Sequence, residues 1–269
     1  MDLEKLEKIK KSIIKNILKI AVEGGSSAAH LGGALSSVNI IVTLFFSIMN
    51  YSKENYTKEG RDRFILSKGH ACLVLYSALL EKKIIGWEQV KNFEKDNSDF
   101  PGHPVKNQDL GIEFSTGSLG MGIGLSIGVA IALRKKKLNN HIFVLLGDGE
   151  CNEGSVWEGL LTVKHYNLEN ITIIVDKNSF QQTGSTNEII SNDNLIDKFK
   201  SFGIEAEEVD GHSFKQIHNT LSKLMNIKKP SAIIANTTKG HGIKLFENDN
   251  KWHHSIITEE LYLECLKEL

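Results

Sequence analysis

Ile142-Phe143-Val144-Leu145-Leu146-Gly147-Asp148-Gly149 runs an unbroken apolar stretch directly into an aspartate held between two glycines. Without polar alternation, such a run predicts a strand covered on both faces, as in a parallel sheet. Ile171 to Val175 and Ala232 to Ala235 repeat the pattern. Val156 to His165 and Phe214 to Met225 lie between these runs and are long enough for crossover helices. The expected fold class is therefore α/β, a doubly wound, mostly parallel sheet flanked by helices.

Working outward, Leu6, Ile9, Ile13, Ile17 and Ile20 recur at helical spacing among Lys and Glu, which predicts an amphipathic first helix. A loop at Glu23 to Ser27 follows, then helices over Val38 to Met49 and Ala71 to Glu81. No repeat, low-complexity tract or Pro-rich linker divides the chain, so residues 1–269 read as a single domain. Leu31 to Tyr51 and Ser115 to Leu133 are uncharged and about as long as a membrane span. Their interspersed Ser, Thr, Asn and Gly residues favour buried helices of an α/β core, and no membrane partner is expected.

The 32 Lys plus Arg nearly cancel the 33 Asp plus Glu, leaving a formal charge of −1. No global field draws the chain to nucleic acid, and a small-molecule partner fits better. Cys72, Cys151 and Cys265 form no CxxC pair, and the charged N-terminus is unlike a signal peptide. Both features predict a reducing, cytoplasmic setting.

Open α/β sheets bind ligands outside the carboxyl ends of their strands, which puts the chemistry at Asp148. Flanking glycines let the backbone turn sharply there and bring the carboxylate close to a phosphate-bound cation. A bare Gly-Asp-Gly is also an ordinary tight turn. The next predicted strand, however, ends in Asp176-Lys177-Asn178, with Asn178 standing 30 residues after Asp148. If the two strands are neighbours, their side-chain oxygens leave the same sheet edge, a donor set suited to octahedral Mg²⁺. Gly117, Gly120, Gly122, Gly124 and Gly128 could instead evoke a dinucleotide fingerprint, but no good strand precedes them.

Gly147-Asp148-Gly149, 28 further residues and then Asn178 resembles the thiamine-diphosphate signature. Ser26-Ser27-Ala28-Ala29-His30-Leu31-Gly32-Gly33, Ser67-Lys68-Gly69-His70-Ala71 and Pro101-Gly102-His103-Pro104 resemble, in order, the three histidine loops of the transketolase family. Ser115-Thr116-Gly117-Ser118-Leu119-Gly120 is similar to that family's cofactor loop, and Trp252-His253 to its last active-site histidine. The first loop has Ala29 where many members have Gly, and Ser118 replaces a frequent proline.

This resemblance implies a thiamine-diphosphate-binding fold, specifically its diphosphate-binding domain, with thiamine diphosphate and Mg²⁺ as cofactors. It implies metal ligation by Asp148, Asn178 and the Phe180 carbonyl. Contact with the cofactor is implied for His70, Gly117, Leu119, Gly147, Gly149 and Glu153. Catalytic roles are implied for His30, His70, His103, His253 and Glu153; Glu153 and Glu158 match acidic positions that link active sites across a dimer. The activity implied is transfer of a two-carbon ketol unit from a ketose to an aldose, phosphorylated or not. The pyrimidine-binding domain, which supplies a relay glutamate, is expected on a separate C-terminal subunit, in a 2:2 heterotetramer. The α-subunit of a 2-oxo acid dehydrogenase and a non-catalytic relative of the fold are the alternatives. His141, His165, His212, His218, His241 and His254 match no motif.

Overall fold

Five parallel strands form one sheet in the computed structural model, which describes residues 1–269. In chain order they are β1 (Arg63–Leu66), β2 (Ile142–Gly147), β3 (Ile171–Lys177), β4 (Glu205–Asp210) and β5 (Ser231–Asn236). Their spatial order is β1-β2-β3-β5-β4. The three apolar runs are thus β2, β3 and β5, the buried centre of the sheet. β1 and β4 were not expected from the sequence. β1 has only four residues, and β4 is an edge strand that buries Ala206 and Val209 while leaving Glu208 and Asp210 exposed. An edge strand presents no continuous apolar run.

Helices cover both faces, as the doubly wound expectation requires. Leu3–Glu23, Cys72–Glu81 and Phe214–Asn226 pack on one face, and Met121–Lys135, Gly154–His165 and Leu195–Ser201 on the other. The first helix buries Leu6, Ile9, Ile13, Ile17 and Ile20 as its spacing dictates, and the Asp2 carboxylate caps it by accepting from Lys5 N at 3.1 Å.

The single helix expected over Val38 to Met49 is divided. Val38–Thr43 is α-helical, and Leu44–Ile48 widens into a π turn that Met49 N closes by donating to Leu44 O at 2.8 Å. Thr43 Oγ1 donates back to Asn39 O at 2.8 Å, the type of side-chain bond that loosens a helix. No helix is long and apolar enough to cross a membrane. The helix Met121–Lys135 approaches its neighbours closely at Gly122, against Ser67, whereas Gly124 and Gly128 meet nothing.

Register decides where the chemistry lies. Gly147 pairs with Asp176, and Asp176 with Ala235. Asp148, Asn178 and Thr237 therefore leave the same carboxyl edge, and the loop after β1 brings Ser67 and Lys68 to it.

Candidate functional site

A cavity of about 650 Å³ opens at that edge. One end is built by the turn after β2. Asp148 is buried, its Oδ1 accepting from Gly149 N at 2.9 Å and its Oδ2 from Ser179 N at 2.7 Å. Burial, reinforced by the Asp176 carboxylate, raises the Asp148 pKa to about 6 against the pull of those two amides. A Cβ on Gly149 would stand 2.7 Å from Gln181 Cγ, so this turn requires glycine.

Glu150 fastens three segments together. Its Oε1 accepts from Ser67 Oγ and from Gly120 N at 2.8 Å, and its Oε2 from Gly147 N at 3.0 Å. Burial nevertheless raises its pKa.

Asp176 is a second hub, completely buried at the end of β3. It accepts from Lys68 Nζ, Thr237 Oγ1, Ser36 Oγ at 2.6 Å and Asn178 Nδ2 at 3.0 Å. Burial opposes its charge, but the Lys68 ammonium and these donors outweigh it and hold the carboxyl below its ordinary value. Lys68 also donates to Gly33 O at 2.8 Å, tying the first loop to the second. Asn178 is oriented by this hub, its Oδ1 accepting from Phe180 N at 3.1 Å.

Imidazoles form the other end. The His30 ring centroid lies 5.5 Å from that of His70, 5.5 Å from His103 and 5.2 Å from His253. Burial lowers all four pKa values, to about 4 for His30 and about 3 for His253; neighbouring imidazoles and the Lys68 or Lys239 ammonium add to it at His30, His70 and His253, whereas Glu94 opposes it at His103. These rings are neutral at physiological pH and can both donate and accept. Gly117 holds φ +137°, and a Cβ there would lie 2.8 Å from His103 Cδ2, so glycine admits the ring.

The expected site residues largely converge. His30, His70, His103, Gly117, Leu119, Gly147, Asp148, Gly149, Glu153, Asn178, Phe180 and His253 line this one cavity. Glu153 does so from an exposed position at the start of the helix Gly154–His165, and Glu158 lies on that helix, outside the lining. Sequence reasoning missed Lys68, Glu150, Asp176, Gln181, Lys239 and His254. Lys239 is the clearest omission. Its Nζ approaches Gln181 O at 3.2 Å, Asn250 Oδ1 at 2.5 Å and His253 Nδ1 at 3.0 Å, with no carboxylate among them. Burial, with Lys68 nearby, depresses its pKa to about 8. The signal was available: Lys239-Gly240 follows an expected strand within the turn where ligands bind.

Residues 9–266 match the family described as "Transketolase, thiamine diphosphate binding domain". The chain belongs to the transketolase family. Transketolases are enzymes of the transferase class, and this chain corresponds to their N-terminal, thiamine-diphosphate-binding part. It is 39% identical to an apulose-4-phosphate transketolase subunit of Actinobacillus succinogenes, over 98% of this chain and 97% of that one. It is 32% identical to the 6-deoxy-6-sulfo-D-fructose transketolase subunit SqwG of Clostridium sp. strain MSTE9, over 94% and 93%. Among solved structures, Leishmania mexicana transketolase superposes with a TM-score of 0.88 at 27% identity, covering 97% of this chain but only 40% of that one.

The transketolase cavity is chemically suited to the diphosphate and its cation. Asp148 and Asn178 offer one anionic and one neutral oxygen donor, and no cluster of three or more His, Cys, Asp or Glu competes for a metal. Mg²⁺ characteristically takes few protein ligands and completes its shell with phosphate oxygens and water. Gln181, which lines the cavity, has its Nε2 buried without a partner, a polar atom that a ligand in this cleft can satisfy.

Proposed function

We propose that residues 1–269 form the diphosphate-binding domain and subunit of a heteromeric, Mg²⁺-dependent transketolase that moves a two-carbon ketol unit from a ketose to an aldose. The observation that carries this reading is one cavity lined by Asp148 and Asn178 together with four clustered imidazoles. Asp148, Asn178 and the Phe180 carbonyl would hold Mg²⁺, while Gly147, Gly149, Gly117, Leu119, His70 and Glu153 would line the bound cofactor. Thiamine diphosphate, when bound, supplies a carbanion nucleophile and an electron sink for cleaving the carbon–carbon bond.

The chain's own residues do the rest. His30, His70, His103 and His253 orient sugar hydroxyls and carry protons to and from them, a role that requires rings uncharged at neutral pH. Lys239 polarises His253 through its contact at Nδ1 and would add positive charge to the surroundings of a bound diphosphate. Glu150 and Asp176 keep the loops in place by committing their oxygens to backbone and side-chain donors.

Relatives of similar length that are themselves named as transketolase subunits support a separate partner subunit, which we read as the pyrimidine-binding one in a 2:2 assembly. The sugar substrates are read as polyhydroxylated and phosphorylated or similarly anionic, as the names of those relatives indicate for their own reactions. Three buried, unpaired cysteines fit a cytoplasmic setting. The test is to co-express the chain with its pyrimidine-domain partner, then assay ketose-to-aldose transfer with and without it. Transfer only by the assembly is expected; robust transfer by this chain alone, or decarboxylation of 2-oxo acids by the assembly, would prove the reading wrong.

A further inference from the structure

His254 belongs to none of the motifs, yet it stands in the cavity wall. Its position follows from backbone register. Ala29 N donates to Ser255 O at 2.9 Å and Ser255 N to Ala29 O at 3.1 Å, an antiparallel bridge in which both bonds are exchanged. The next pair across is His30 with His254, the non-hydrogen-bonded position at which opposed side chains stand closest. Their rings accordingly stack, with centroids 4.4 Å apart and planes 29° from parallel.

The stack leaves His254 exposed, as His103 is, whereas His30, His70 and His253 are partly buried. His30 Nδ1 faces the His253 carbonyl at 3.1 Å and His253 Nδ1 faces Lys239 Nζ at 3.0 Å, but both ring nitrogens of His254 remain free for a ligand. The carboxylates in the wall, Asp148, Glu150 and Glu153, all come from the turn after β2, at the cofactor end. Around His254 the wall offers His30, His103 and His253; the nearest acid behind them, Glu94, is turned towards Gly102 under the His103 loop.

We propose that His254 is a specificity-determining residue that donates a ring N–H to the terminal oxyanion of the sugar substrate, so that the enzyme favours phosphorylated or similarly anionic sugars over neutral ones. This rests on the ketol-transfer reading above. The arrangement separates two tasks along one substrate: the partly buried rings of His30, His70 and His253 handle hydroxyls near the cofactor, and the exposed His254 ring reads the far end. A rigid stack on His30 fixes the height of that ring at little entropic cost, since the bridge at Ala29 and Ser255 already orders both backbones.

The experiment uses the complex of this chain with its pyrimidine-domain partner, with D-xylulose 5-phosphate and D-xylulose as paired donors. His254→Ala should raise KM for the phosphorylated donor about tenfold while changing kcat, and KM for the neutral donor, by less than about twofold. His254→Phe, which keeps the stack but has no N–H, should match His254→Ala, and His254→Lys should recover the preference for the charged donor. Thiamine diphosphate affinity by calorimetry should be unaltered in all three. Equal KM changes for both donors, or wild-type behaviour of His254→Phe, would overturn the assignment while leaving ketol transfer standing. Absence of transfer from either donor by the wild-type complex overturns the proposed function and this inference with it.

Discussion

The two ends of the cavity are built by different means. At the cofactor end, Asp148, Asn178 and Asp176 leave adjacent parallel strands, and the ladder pairing Gly147 with Asp176 sets their spacing. At the imidazole end, His30, His70, His103 and His253 come from four loops far apart in sequence, joined by individual contacts such as His30 Nδ1 with His253 O. A sheet edge imposes geometry on whatever residues end its strands. Loops must be tied, and here Lys68, Asp176 and Glu150 tie them.

Asp148→Ala should break the cofactor end most severely. The proposed Mg²⁺ site would lose its anionic protein ligand, so Mg²⁺-dependent thiamine diphosphate affinity in the assembled enzyme should fall by about 100-fold or more. Calorimetric titration at fixed Mg²⁺ reads it, and unchanged affinity would remove Asp148 from the site. The tie between the ends comes next. Lys68 and Asp176 are both buried, so Lys68→Met strands a carboxylate and should cost about 3–5 kcal/mol of folding stability by urea denaturation. Converting Asp176→Asn in the same chain should recover part of that loss, because an amide tolerates burial better than an unpaired charge.

His103→Ala tests the imidazole end alone. Turnover with the partner should drop about 10- to 100-fold, or KM for the ketose rise, while cofactor affinity holds near wild type. Circular dichroism checks the fold. A collapsed spectrum would instead mean that the ring is structural.

The smallest expected effect is on pH dependence. His30 and His253 are held neutral in the fold, with pKa values of about 4 and 3, while unfolded histidine titrates near its ordinary value of about 6.5. The unfolded chain therefore takes up protons first on acidification. The stability these groups contribute is fully present above about pH 6.5 and declines as pH falls towards their folded values. A His30→Asn, His253→Asn double variant should show a shallower loss of melting temperature between pH 6.5 and 4 than wild type, read by thermal denaturation. An identical slope would show that these rings are not held neutral by the fold.

The central strands and the metal-capable pair were legible in the sequence because both depend on local pattern. Unbroken apolar runs mark buried strands, and a polar residue directly after such a run lies at a sheet edge. β1 and β4 escaped because the first is short and the second half exposed, so neither leaves a run to read. The π turn over Leu44–Ile48 escaped because apolar spacing does not record which carbonyl an amide reaches.

For the site, the sequence determined by itself that Asp148 and Asn178 each follow a buried strand, and its histidine loops identified four imidazoles as belonging together, whereas the pairing of those two strands came from the structure. Only the tertiary structure decided that Asp176 and Lys68 form a buried pair, that Lys239 has no carboxylate partner, and that His254 stacks on His30. Those three facts join segments more than ten residues apart through single contacts. A local pattern carries the period of a strand or a helix, whereas a contact between distant loops is fixed only when the whole chain has packed.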